Sequence, residues 1–391
     1  MKLSVLVLVL VLVLMLIIIF YTCIRKTSLE VRDPFESVRT GLEFRITRSG
    51  NTFNTRVPPY PTTNKGRGIV ISANKFRFKY VAGLYANVML VRKYFGCDLP
   101  IEIFYVGKEE RFDDNYIDLL TKLGNVRILD LTQVLSGLYK KQSKYRGYCS
   151  KPLSVIASSF SEVLLLDADS VLFENPEKFF EIPEYKSKGM YLFLDYVTCT
   201  TYVKENFLTT LGLTAENYCK QTRDLEIDSS CVVVNKEQYW DILYAISMIN
   251  VESKTYYANV LGDKDTWLIA SNLLGKYPAI NADNPNILMV PRYIGNDKKY
   301  SIVFGHLQLV DSVPYYYNNQ MIDFRKFDGM KDWMYGYYKN PSLSKEIISG
   351  DLHPVTDHMK EVFDFSRQSL YDISDILDRL NTGNNMINYK I

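Results

Sequence analysis

The pattern of apolar and polar positions divides the chain into four stretches. From Leu3 to Ile24, "LSVLVLVLVLVLMLIIIFYTCI", no charged residue appears. As a helix rising about 1.5 Å per residue this run reaches roughly 33 Å, enough to cross a hydrocarbon core. Roughly 16 strongly apolar side chains at about −0.4 kcal/mol each favour insertion by about 6 kcal/mol. The run is longer than the apolar region of an ordinary signal peptide, and no small-x-small cleavage site follows it, so it reads as an uncleaved anchor behind a two-residue tail. Residues 25–66 are polar and proline-bearing, without sustained periodicity, and read as a stem.

Order begins at residue 67. Short β-branched runs alternate with helical stretches: "GIVISAN", then "YVAGLYANVMLVRKYFG", "LPIEIFYVG", "NYIDLLTKLG", "NVRILDLT", "SKPLSVIASSF", "EVLLLDADS", "NPEKFFEI" and "GMYLFLDY". In "SSCVVVNKEQYWDILYAISMI" a strand passes into a helix. This order predicts an α/β fold with a mostly parallel central sheet over residues 67–335. Residues 336–391 form a C-terminal extension whose "DHMKEVFDFSRQSLYDISDILDRL" is an amphipathic helix, laid either on the body or against a partner.

One strand ends unusually. "VLLL" runs straight into Asp167-Ala168-Asp169. Residues two apart on a strand share a face, so the two carboxylates point the same way. Like charges that close repel, and a divalent cation resolves the conflict. The pair lies at the carboxyl end of a buried parallel strand, where open α/β sheets place ligands, and its oxygen-only chemistry suits Mn²⁺ or Mg²⁺ with positions left for a diphosphate. The bland alternative is a strand end whose acids bind water or cap the next helix. Phosphatases of the haloacid-dehalogenase type also use Asp-x-Asp after an apolar strand, but their motif opens the domain, whereas at least three strand-like segments precede it here.

Composition narrows the field further. With 391 residues, nearly half of them hydrophobic, the chain buries a large core. A net charge of +2 offers no basic field for nucleic acid, which is set aside as a partner. Six scattered cysteines without a Cys-x-x-Cys pair argue against a structural zinc site and leave one or two disulfides open, with the pairing undetermined. The charges flanking the apolar run, Lys2 before and Arg25 and Lys26 after, do not orient the body.

Four segments together resemble one family, the Golgi α-mannosyltransferases that build fungal mannan branches. They are "RGIVIS" at 67–72, "GCDLPIEIFYVG" at 96–107, "YCSKPLSVIASSFSEVLLLDADSVLFENPEKFF" at 148–180 and "GDKDTW" at 262–267. The resemblance implies a single-pass type II Golgi membrane protein with a lumenal GT-A body, and a retaining transfer of mannose from GDP-mannose, with Mn²⁺, to a glycan or glycoprotein. It implies that Ser72 and Asn74 lie near the nucleoside, that Lys151 reaches the donor phosphates, and that Asp167 and Asp169 take the metal and donor. Asp263 and Asp265 fall where the family keeps acids near the sugar and acceptor, although acids in the first turn of a helix would read the same way. The sequence departs twice. In "DSSC", Asp228 keeps the family's acid while Ser230 and Cys231 replace a Gly and a Gln. Asn318 stands where a late histidine is expected, which leaves His306 as the candidate third metal ligand, or else as a structural strand histidine. A UDP-sugar transferase, or a silent relative that binds glycans or assembles with active transferases, is the alternative.

Overall fold

The computed structural model describes residues 43–48, 51–136, 145–251, 253–294, 297–318, 332–337 and 352–381. The expected anchor at 3–24 lies outside them. Among the described residues no helix is long and apolar enough to cross a membrane. Within the span read as stem, β1 (Glu43–Arg48) and β2 (Asn51–Arg56) form an antiparallel hairpin.

The body is built on a seven-stranded sheet. Its strands are β3 (Arg67–Ser72), β4 (Ile101–Tyr105), β5 (Val126–Asp130), β6 (Glu162–Asp167), β8 (Met190–Thr198), β9 (Leu225–Asn235) and β10 (Ala279–Ile280), in the order β10-β8-β9-β6-β3-β4-β5. Six run parallel and β9 alone opposes its neighbours β6 and β8. Strand alternation assigns each side chain to a layer. Ile69, Ile71, Leu164 and Leu166 enter one apolar cluster with helix α1 (Phe78–Met89), while Val70, Val163 and Leu165 enter another with α2 (Ser150–Ala157), α3 (Trp240–Val251) and α4 (Thr266–Leu273). A strand buried on both faces needs apolar residues without interruption, which is why "VLLL" shows no alternation.

A second sheet holds β7 (Val171–Leu172), β11 (Asn286–Ile294), β12 (Asp297–Val310), β13 (Val313–Asn318), β14 (Met334–Tyr337) and β15 (His353–Pro354), all antiparallel, in the order β15-β14-β11-β12-β13-β7. It straddles the boundary expected at 335. Because β7 follows Asp169 by one residue and pairs through Val171 and Leu172 with Tyr317 and Tyr316, the second sheet fixes the exit of the Asp-Ala-Asp turn. The amphipathic tail is helix α5 (Asp357–Asn381), whose Met359, Val362, Phe363, Leu370 and Ile373 join the α1 cluster, so it packs on the body. The segment "NPEKFFEI" is a 3-10 stretch, Pro176–Glu181, rather than an α-helix.

Candidate active site

The carboxyl ends of β3 and β6 lie side by side, with Ser72 paired to Asp167 in register. They open into a cavity of about 520 Å³ whose lining includes Ser72, Asn74, Lys79, Lys151, Asp167, Asp169, His306 and Asn318. Ser72 Oγ lies 2.6 Å from Ser150 Oγ at the start of α2, and Asn74 Oδ1 accepts from the Phe76 amide, so the loop after β3 is held in a compact turn.

Each aspartate of the pair meets a lysine. Lys151 Nζ lies 3.0 Å from Asp167 Oδ1 and 3.4 Å from Asp263 Oδ1, and it donates to the Ser229 carbonyl and hydroxyl at 3.1 and 3.2 Å. Lys79 Nζ, from α1, donates to Asp169 Oδ2 at 2.8 Å. Asp263, whose Oδ2 accepts from Trp267 Nε1 at 3.2 Å, is thereby brought to the pair. Burial, with Asp169 and Asp263 adding to it against the pull of Lys151, pushes the Asp167 carboxyl up to about 7. Burial works against the Lys151 charge, yet Asp167 and Asp263 outweigh it and hold the ammonium well above its ordinary value.

Behind His306 lies a second charged layer. Its Nε2 is 3.4 Å from Asp195 Oδ1 and its Nδ1 is 3.3 Å from Asp228 Oδ2. Although burial opposes the imidazolium, these two carboxylates raise its pKa. Asp228 also accepts from the Ser230 amide and hydroxyl at 2.9 and 2.8 Å. Burial would raise its carboxyl, but His306 and Ser230 prevail and hold it well below the usual range. Lys264 continues the layer, 2.7 Å from Asp195 and 2.8 Å from Glu226.

Asp228 and Asp263 are buried outside the cavity lining, and so is Asp265. Its Oδ1 accepts from Tyr218 Oη at 2.8 Å and from the Ile227 amide at 3.2 Å, and the residue is fully buried. It also precedes α4 instead of lying in its first turn, because Asp265 is the N-cap position, without a capping hydrogen bond from its side chain. Spacing alone could not separate Asp263, aimed at Lys151, from Asp265, aimed into the core.

The residues fit a hard divalent cation at Asp167 and Asp169. Three carboxylates share two ammonium groups there, a shortfall of positive charge that a divalent cation would fill. His306 is committed to Asp195 and Asp228, and among the described residues no group of three His, Cys, Asp or Glu side chains gathers around one metal position. The cross-strand partner of His306 is Asn318.

Sequence reading missed Lys79, Asn87 and Asp195. Asp195 had a visible signal, since "MYLFLD" delivers an acid after an apolar strand just as "VLLLD" does. The signal for Lys79 and Asn87 is their spacing about a glycine in "KYVAGLYAN".

Together these features define an α/β protein with a charged, cation-compatible cavity at the carboxyl ends of its parallel strands. Residues 66–308 match the family described as "Mannosyltransferase putative", and the chain belongs to that family. It is 26% identical to alpha-1,2-mannosyltransferase MNN22 of Candida albicans over 284 residues, 63% of this chain and 45% of that protein. It is 35% identical to alpha-1,2-mannosyltransferase MNN21 of the same organism over 107 residues, 26% of this chain and 16% of that protein. The chain therefore spans less than half the length of these relatives. Among solved structures, the mannosyltransferase Ktr4p from S. cerevisiae aligns with a TM-score of 0.37 and 13% identity, over 64% of this chain and 74% of that one, a superposition too loose to fix fold or function.

Proposed function

We propose that this chain is a retaining α-mannosyltransferase of the GT-A type, taking mannose from GDP-mannose to a hydroxyl of a glycan or glycoprotein, with Mn²⁺ or Mg²⁺ held by Asp167 and Asp169. The observation that carries the reading is the gathering of Asp167, Asp169 and Lys151 at the strand tips, lining one cavity with Ser72 and Asn74, with Asp263 buried behind Lys151. Family membership supplies the mannosyl chemistry, and the resemblance described above supplies donor nucleotide and retention.

When bound, the cation supplies positive charge to the departing diphosphate, a contribution of several kcal/mol. The protein's own groups orient and shield. Lys151 is locked by Asp167, Asp263 and Ser229, so it presents a fixed charge beside the phosphates. Asp228 is held ionised by Ser230 and His306 and lies buried behind His306, so it acts on the cavity by orienting that imidazole. Asp265 acts through backbone, since its bond to the Ile227 amide anchors β9 next to Asp228. The proton of the attacking hydroxyl passes to the leaving phosphate oxygen of the donor.

Membrane anchoring through residues 3–24, with the body in the Golgi lumen, completes the reading. The disulfide between Cys199 and Cys219 supports an oxidising compartment. The test is a donor screen on the full chain in detergent with Mn²⁺, following free and transferred sugar. Release or transfer from GDP-mannose is expected. Inactivity with GDP-mannose, or turnover of a UDP-sugar instead, overturns the donor assignment.

A further inference from the structure

The Asp-Ala-Asp turn is held from one side by one face of one helix. On α1, Lys79, Gly83 and Asn87 follow at intervals of four and therefore stack along one side. Lys79 Nζ pairs with Asp169 Oδ2 at 2.8 Å, and Asn87 Nδ2 donates to the Ala168 carbonyl at 3.0 Å. Between them Gly83 has no Cβ, and a Cβ placed there would come 2.5 Å from the Ala168 oxygen. The helix thus approaches the turn as closely as backbone allows and delivers a cation to one aspartate.

The two lysines of the site are not equivalent. Lys151 is shared by two carboxylates and two Ser229 oxygens, and its side chain is only 13% exposed, so it cannot leave without abandoning four partners. Lys79 has one carboxylate partner among the described residues, and its side chain is 28% exposed at the cavity rim. A flexible four-carbon stem with a strongly hydrated head can swing from Asp169, and from the Tyr80 ring 4.8 Å from its ammonium, into the solvent of the cavity with fewer contacts to give up than Lys151.

We propose that Lys79 is a built-in competitor for the cation position, a tethered ammonium that a divalent metal must displace from Asp169. This rests on reading Asp167 and Asp169 as the metal-binding pair. The consequence runs against the usual expectation for a charged residue in an active site: removing Lys79 tightens metal binding. It also makes metal entry conditional. An ammonium at Asp169 already neutralises that carboxylate without metal, and a donor diphosphate gives the displaced Lys79 a new anionic partner, so metal and donor favour each other's binding.

The test is titration of the full chain in detergent with Mn²⁺ alone, following loss of the free-ion EPR signal, for the native protein and for Lys79→Met, Lys79→Gln, Lys79→Arg and Asp169→Asn, each checked by thermal melting. Lys79→Met and Lys79→Gln are expected to bind Mn²⁺ about tenfold more tightly, equivalent to about 1.4 kcal/mol of lost competition, and Lys79→Arg no more tightly than the native protein. If Lys79→Met and Lys79→Gln bind no more tightly while Asp169→Asn abolishes binding, the competition is overturned and the metal-binding pair stands. If Asp169→Asn binds Mn²⁺ as the native protein does, or no variant binds it saturably, both fall together.

Discussion

Gly83 of α1 faces the backbone of Ala168 at a distance where a Cβ would lie 2.5 Å from the carbonyl oxygen and 3.3 Å from the Asp169 Cα. Two effects of Gly83→Ala oppose each other. Alanine favours a helix interior by about 1 kcal/mol over glycine, whereas overpacking against backbone costs about 1–3 kcal/mol. The obstructing atoms are main chain and cannot rotate away, so overpacking wins. Urea denaturation is expected to show Gly83→Ala less stable than the native protein by about 1 kcal/mol, with a several-fold loss in kcat/KM as the turn shifts. A gain in stability would mean that the helix does not press on the turn.

Much of this arrangement was legible because burial writes itself into strands. The uninterrupted "VLLL" announced a strand covered on both faces and an acid pair at its end, but the strand stops at Asp167 and Asp169 lies in the turn that follows, so the two carboxylates are not strand neighbours on one face and each meets its own lysine. What the sequence hid is set by contacts between distant segments. Nothing local distinguishes Asp263, which turns to Lys151, from Asp265, which turns to Tyr218. The antiparallel sheet that carries His306 and Asn318 was also missed, because its strands are not separated by the helices that made the parallel part readable. The likeness that left Asn318 in place of a histidine and His306 nearby becomes a register pair in the fold, with the two residues opposite each other.

Lys151 joins two acids that otherwise repel. In Lys151→Met the methionine fills much the same space, but Asp167 and Asp263 remain buried without their cation. Breaking a buried pair from one side costs about 3–5 kcal/mol, less whatever one carboxyl recovers by keeping its proton. Chemical denaturation at pH 7 is expected to show a loss in this range, together with loss of sugar transfer. A second substitution, Asp263→Asn, removes one of the two stranded charges and should return part of the stability. If Lys151→Met is as stable as the native protein, the lysine is not clamped between these acids.

The Cys199–Cys219 bond closes a loop of 20 residues that contains the Glu205–Thr210 helix and ends inside the Ala215–Gln221 helix. Loop-closure entropy for that length corresponds to about 3 kcal/mol. Among the described residues Cys97, Cys149 and Cys231 are buried and are not part of this disulfide. Cys199→Ser with Cys219→Ser is therefore expected to lower the melting temperature by several degrees, and the native protein should fall to the same value under reduction. A melting curve indifferent to reductant would contradict the pairing.

Asp265 separates a chemical role from an architectural one through its pH dependence. Burial, with Glu226 adding to it against Lys264 and Tyr218, raises its carboxyl from an ordinary 3.8 to about 7. Between those values the folded protein keeps a proton that the unfolded chain has released, so this residue makes stability fall as pH rises from about 4 to about 7. Asp265→Asn copies the protonated shape, because its amide oxygen can accept from Tyr218 and the Ile227 amide as Oδ1 does now. The variant should match the native protein at or just below pH 4 and exceed it by at least about 1 kcal/mol at pH 8, with sugar transfer retained to within a few-fold. Denaturant midpoints across pH 4–9 check the first part, since other titrating groups cancel in the comparison. Turnover checks the second: a loss of a hundredfold or more would return Asp265 to the reacting groups, and would require the loop at 262–265 to open so that this carboxylate meets the sugar.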